Sequence, residues 1–167
     1  MARKKITINP YSSQSISDAI KFIEDYKREL TKKTELFTRM LAEIGVGIAQ
    51  ANLISMDKIE TGELLGSIDC KQDGVLVNGS HWIIFTDSPY AVYVEFGTGI
   101  VGSNDPHDLA FDKQYKYDVN HHGEKGWVYY KNDEYHWTAG QPASPFMYNT
   151  AIELRTRIAE IARKVFK

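Results

Sequence analysis

The sequence has a single cysteine, Cys70. One thiol excludes an intrachain disulfide and any zinc site built from several thiolates. Cys70 ends a strand-like segment with no neighbour that would depress its pKa, so it reads as a half-buried structural thiol and not as a nucleophile. No apolar run approaches the roughly 18 residues of a membrane span, and MARKKITINP lacks the apolar centre of a signal peptide. The expectation is a protein made and kept in a cytoplasm. Phosphate-cradling Gly loops, a GxSxG elbow, an HExxH pair, a Cys-His signature and a Rossmann fingerprint are all missing, and TGELLGS (Thr61 to Ser67) lacks the Gly-Lys-Ser/Thr ending of a Walker A loop. These absences argue against an enzyme, and no cofactor or metal is expected.

Hydrophobic residues at 43% and charged residues at 25% are ordinary globular values, which sets aside both disorder and a membrane class. A chain of 167 residues suits one domain with a real core. Its net charge of -2 hides an asymmetry. Basic residues crowd the N-terminal part, from Arg3 to Arg39, and the last helix, from Arg155 to Lys167; acids such as Asp57, Glu63, Asp87 and Asp118 fill the middle. The basic residues lie on helices as solvated faces and do not form the aromatic-interleaved stripe of a tight nucleic-acid binder.

Read in order, residues 1–14 form an arm and 15–167 a single domain carrying a long loop and hairpin insertion at about 100–137. Ser15-Ile-Ser-Asp18 has the form of a capping box and opens a helix along Ile16, Ile20 and Ile23. A second apolar series from Leu36 to Ala51 keeps the helical period; Thr31 to Thr34 allows either a break or one long rod. Gly45, Gly47, Ala49 and Ala51 suggest close packing. Leu64 to Lys71, Gly74 to Asn78 and Trp82 to Thr86 read as strands, the first two joined by a Gln-Asp-Gly turn and the third central. Trp127 to Tyr130 and Tyr135 to Trp137 bracket a turn at Lys131 to Glu134, with aromatics that either cover the sheet or project to a partner. After Pro145, Phe146 to Val165 is an amphipathic helix. The fold class is therefore α+β, a small antiparallel sheet packed against a long N-terminal helix and a C-terminal amphipathic helix.

The chain is organised around SPYAVYVEFGTG, Ser88 to Gly99. Ser88 caps, Pro89 lies in the first turn and Gly97 supplies a left-handed stop, which makes a two-turn helix; the β-branched content also permits a strand. Tyr90, Ala91, Val92, Tyr93, Val94 and Phe96 leave no polar side except Glu95. A carboxylate in such a run is costly unless satisfied. Loop N–H groups or a basic side chain would satisfy it and give it a structural role, in preference to a catalytic one.

YAVYVEFGTG (Tyr90, Ala91, Tyr93, Val94, Glu95, Phe96, Gly97, Thr98, Gly99) resembles the signature of a family of long-tailed bacteriophage proteins of the head–tail junction, the tail-completion or minor tail components. TGELLGSI (Thr61, Gly62, Leu64, Ser67, Ile68) is similar to the family's upstream element, and GQPASPFM (Gly140, Pro142, Ala143, Pro145, Phe146, Met147) to its segment before the last helix. The resemblance covers about half of the chain. Asn149-Thr150 stands where a proline is common, and Ile100 to His136 is longer than the usual connection. What the resemblance implies is a structural virion subunit that forms a homo-oligomeric ring in the neck. Its partners would be a head-completion or connector protein and the tail terminator or tail tube, with DNA passing through without specific binding. The neighbouring role, a tail terminator capping the tube, is the alternative within the class.

Asp105, Asp108 and Asp112 are candidates for facing the channel, where like charge would keep DNA from sticking. A rival of another class is a metal-dependent hydrolase or nuclease built on His107, His121, His122 and His136 with those acids. Adjacent His121-His122 fit one metal badly on a strand, and loop polar residues are the better reading.

Overall fold

Ser12 sets the start of the long helix. Its hydroxyl accepts the N–H of Ser15 at 3.3 Å, the service of an N-cap, while the Ser15 hydroxyl accepts the N–H of Asn9 at 2.9 Å. The computed structural model describes residues 5–77, 79–105, 115–118 and 125–167. In it helix α1 runs unbroken over Ser13–Ser55, 43 residues. Ser15 is thus inside the helix and is not its cap. The Thr31 to Thr34 stretch continues it, with the Thr hydroxyls turned back on their own helix: Thr31 donates to the Lys27 carbonyl at 3.1 Å and Thr34 to that of Leu30 at 3.0 Å. The helix ends in a Schellman motif. Asp57 takes φ 53°, Asp57 N–H donates to the Ile54 carbonyl at 3.1 Å, and Lys58 N–H donates to that of Leu53 at 3.2 Å.

The remaining elements follow in order. They are α2 (Glu63–Ser67), β1 (Asp69–Leu76), β2 (Gly79–Phe85), α3 (Ala91–Phe96), α4 (Gly99–Asn104), β3 (Trp127–Lys131), β4 (Glu134–Thr138), β5 (Gly140–Gln141) and α5 (Phe146–Val165). The class is α+β, with antiparallel sheets of two strands each among the described residues, β1–β2 and β3–β4.

Two details of the expected sheet change. Leu64 to Ser67 is helical, because Gly62 at φ 80° turns the chain and an i,i+4 spacing puts Leu64 and Ile68, 9% and 4% exposed, on one buried side. Gln72-Asp-Gly74 is strand and not turn, since Asp73 pairs with His81 across the ribbon at 3.3 Å. The segment Trp82 to Phe85 is accordingly half of a two-stranded ribbon, only half-buried, and not a central strand.

The chain gathers into two compact units. One holds the chain up to Ile44, Cys70–Ile84 and Leu154–Lys167; the other holds Gly45–Asp69 and Phe85–Glu153. Helices α1 and α5 contribute to both. In the first unit Gly79 brings β2 so close to α1 that a Cβ there would lie 2.9 Å from Thr34 Cγ2. Next to it Thr38 and Ser80 share a 3.0 Å hydroxyl contact, and Trp82 Nε1 donates to the Ser80 hydroxyl at 3.0 Å. Phe37 and Phe166 stack obliquely, with centroids 5.7 Å apart.

In the second unit Ala49, Leu53 and Phe146 are fully buried. Of the small α1 residues, Gly45 and Ala49 are buried while Gly47 and Ala51 face outward. Close packing therefore uses one side of the small-residue stretch only.

Candidate functional site

The site is built on α3. Ser88 N–H donates to the Thr86 hydroxyl at 3.2 Å, Tyr90 N–H to the Ser88 hydroxyl at 3.4 Å, and Ala91 N–H to the Ser88 carbonyl at 3.1 Å. The helical alternative is the one adopted, but its cap position is Tyr90, with no side-chain cap. Ser88 and Pro89 lie in the turn before the helix and not at its cap and in its first turn, because the Ser88 oxygens are spent on the N–H groups of Tyr90 and Ala91 in that turn. Gly97 ends it at φ 79° with its N–H on the Tyr93 carbonyl at 3.0 Å. Only glycine fits there, because a Cβ would come within 2.7 Å of both Gln141 O and Ala143 N.

That closeness marks how the second and third motif segments meet. Thr98 and Gly99 form antiparallel bridges with Gln141 and Gly140. Gln141 N–H donates to the Thr98 hydroxyl at 3.2 Å, and the Gln141 side chain donates to the Tyr93 carbonyl at 3.0 Å. Ser144 N–H donates to the Val94 carbonyl at 2.8 Å.

Glu95 completes the clamp. It is 7% exposed, and its two carboxylate oxygens accept one N–H each from the first turn of α5, Met147 at 2.9 Å and Tyr148 at 3.0 Å. Helix N-termini present unpaired N–H groups and a positive dipole end, so a carboxylate there satisfies both itself and the helix. Glu95 has backbone N–H donors, but they come from α5, fifty-odd residues on, and not from the glycine loop beside it.

The first motif joins through hydroxyls. Ser67 and Thr86 lie 2.6 Å apart, which ties the end of α2 to the turn that starts α3. Thr61 accepts the Glu63 N–H at 3.3 Å, and Gln50 of α1 donates to the Leu65 carbonyl at 3.3 Å. At the other side, Asn52 of α1 donates to the Phe146 carbonyl at 3.3 Å and to the Thr150 hydroxyl at 3.1 Å.

Of the motif residues, Leu64, Ile68, Ala91, Glu95, Gly97, Thr98, Gly99 and Phe146 are buried, and most of the others are half-buried. Thr61, Tyr90 and Pro142 face outward, as do Val92 and the neighbouring Ile100. Motif chemistry here positions a surface and does not itself form most of it. Gln141, Thr86 and Tyr115, whose hydroxyl donates to the Gly97 carbonyl at 2.6 Å, are members that the sequence reading missed. The only signal was the nearness in sequence of Gln141 to Gly140 and of Thr86 to Ser88; Tyr115, 18 residues from Gly97, gave none.

The same unit exposes an aromatic face. Register pairs Val128 with Trp137 and Tyr130 with Tyr135, and these four side chains are 58%, 65%, 59% and 80% exposed. They share one face of the β3–β4 ribbon because alternate residues point the same way. The turn between the strands has φ 52° and 62° at Asn132 and Asp133, the geometry that suits a tight hairpin. These four side chains are exposed and so do not cover a sheet of the described residues. Lys131, at the tip, pairs with Glu60, which holds its pKa above the ordinary lysine range through the hydrogen bond and the charge.

Asp105 is exposed at the end of α4. Asp108, Asp112, His107, His121 and His122 lie outside the described residues. His136 stacks on Tyr129 with centroids 5.4 Å apart. Among the described residues no three His, Cys, Asp or Glu side chains come together as a metal site. No described helix is long and apolar enough to cross a membrane. Set against protein-family models, curated proteins and solved structures, the chain matches none of them.

Proposed function

We propose that this chain is a structural subunit of the neck of a long-tailed phage, a ring-forming tail-completion protein that joins the filled head to the tail. The observation that carries the reading is that the three motif segments, far apart in sequence, form one hydrogen-bonded clamp around Glu95. A clamp whose polar groups are consumed internally is suited to holding a surface and not to turning over a substrate. The exposed Tyr90, Val92 and β3–β4 aromatics in the same unit are the residue types that anchor protein contacts. A closed ring needs two different patches on each subunit, and these supply one. The neighbouring copy, the connector on the head side and the tail tube or its terminator are the partners, with DNA threading the ring unbound.

Electron microscopy of particles from a phage with this gene disrupted tests the proposal. Filled heads beside finished but unattached tails are expected. Normal virions would refute it.

A further inference from the structure

A short piece of the long insertion lies on the glycine corner, Gly97 to Gly102, that joins α3 to α4. Burial alternates along it: Tyr115 and Tyr117 are half-buried, whereas Lys116 and Asp118 are exposed. Tyr115 donates its hydroxyl to the Gly97 carbonyl at 2.6 Å, and its ring meets Phe96 with centroids 5.1 Å apart. Two residues on, the Tyr117 carbonyl accepts the Gly99 N–H at 2.7 Å, and the two tyrosine rings stand edge to face at 5.0 Å. Gly102 is buried beneath, where a Cβ would lie 3.1 Å from Tyr117 Cδ1.

Thr98-Gly99 thus has two neighbours of different kinds. One is β5, bridged to it through Gly140 and Gln141. The other, Tyr115 to Asp118, belongs to no helix or strand. Docking of the two tyrosines has to do for this segment what a ladder does for a strand.

We propose that Tyr115 to Asp118 is a strap that closes on the Gly97 to Gly102 corner as one cooperative unit, with the Tyr115 side chain as its fastening. The Tyr115 hydroxyl and the Tyr117 carbonyl are carried two residues apart and reach Gly97 and Gly99, which are also two residues apart. Both bonds therefore form in one approach and break in one release. The Gly99 N–H meets water only when the strap lifts, so Tyr115 governs the exposure of an amide that it does not touch. Release also strips the Gly97 carbonyl of its donor and uncovers Phe96, which carries the effect to the end of α3. The inference stands apart from the neck reading, since it concerns how the corner is held closed and not what meets it.

Hydrogen exchange of the full chain, followed by NMR, tests the strap. Tyr115→Phe loses one hydrogen bond and keeps the ring, and should speed Gly99 amide exchange about tenfold; Tyr115→Ala loses both and should speed it about a hundredfold. The Met147 and Tyr148 amides, held by Glu95, keep the parent's exchange rates. Lys116→Ala, on the outward side, leaves Gly99 as it is in the parent. A Gly99 amide indifferent to both Tyr115 variants would overturn the proposal, because the corner would then open without the strap. A Lys116→Ala variant that matches Tyr115→Phe would overturn it too. An equal rise at Gly99, Met147 and Tyr148 would make Tyr115 part of the unit's general core and no fastening.

Discussion

Around Glu95 the side chains of Ala49, Leu53 and Phe146 have no exposure, whereas between Ile16 and Leu30 of the same α1 chain segment the large aliphatic residues are 39–58% exposed. Both stretches are rich in apolar side chains with helical spacing. They differ in what surrounds them. Near Glu95 the segment of α3 and Thr98, strand β5 and the first turn of α5 are joined by hydrogen bonds, and the N–H groups of Gln141, Met147 and Tyr148 are matched by side-chain oxygens. Along the first turns of α1 Ala19 is buried, but Ile16, Ile20, Ile23 and Leu30 are exposed. Helical hydrogen bonding and the burial of an apolar face are separate achievements, and this chain completes the first in both places but the second in one.

The comparison breaks most visibly at Phe146. Its ring is fully buried, and its carbonyl receives hydrogen bonds from Asn52 and Thr150. Phe146→Ala keeps the backbone carbonyl but empties the ring's volume. Urea denaturation should show a loss of about 4 kcal/mol, the usual range for a buried phenylalanine. A loss below about 1 kcal/mol would mean that the clamp is not a stability core.

Glu95 comes next. Glu95→Gln retains one acceptor for the α5 turn and turns an amide donor toward the other N–H, at a cost of about 2 kcal/mol; Glu95→Ala leaves both N–H groups unpaired and costs about 3 kcal/mol. Both variants read by the same denaturation, and the order Ala worse than Gln is the sharper check. Equal stability of parent and Gln variant would sink the capping argument.

How much of this was open to a reader of the sequence follows the range of each interaction. Gly97 acts within a few residues of itself, so the end of α3 was legible, as was the hairpin turn at Lys131 to Glu134; the start was misplaced, since Ser88 and Pro89 shape the turn before the helix. The continuity of α1 through Thr31 to Thr34 was not legible, because spacing alone leaves a break and a rod equally open there. The start at Ser12 and the strand through Asp73 were misread for similar reasons: Ser15 and Gln72-Asp-Gly74 carry the right local chemistry, and a competing partner, Asn9 or His81, took it. Glu95 announced only that it needed donors. Nothing local could say that they were Met147 and Tyr148.

A smaller effect sharpens the other side of the comparison. Ile20→Ser on the exposed stretch of α1 removes an apolar side chain that is already 54% exposed. In dilute solution its effect on unfolding should stay within about 0.5 kcal/mol, as for ordinary surface changes. A loss of 2 kcal/mol or more would show that this stretch is packed within the monomer after all.

The smallest effect lies on the solvated side of α5. Glu160 and Lys164 are 2.6 Å apart at an i,i+4 spacing, and both side chains are 59% exposed. The hydrogen bond from Lys164, then its charge, holds the Glu160 pKa below the ordinary glutamate range, with burial opposing and Arg157 assisting weakly. A carboxylate whose folded pKa is depressed contributes stability that is fully present above its unfolded value and is lost as pH falls through the folded one. Lys164→Ala should therefore raise the Glu160 midpoint in an NMR titration and narrow the stability difference from the parent as the solution becomes acidic. Salt should shrink the shift, because both groups face water. A Glu160 midpoint that stays depressed without Lys164 would assign the effect to the helix or to Arg157, and would show that even the exposed side of α5 takes its charge balance from more than one neighbour.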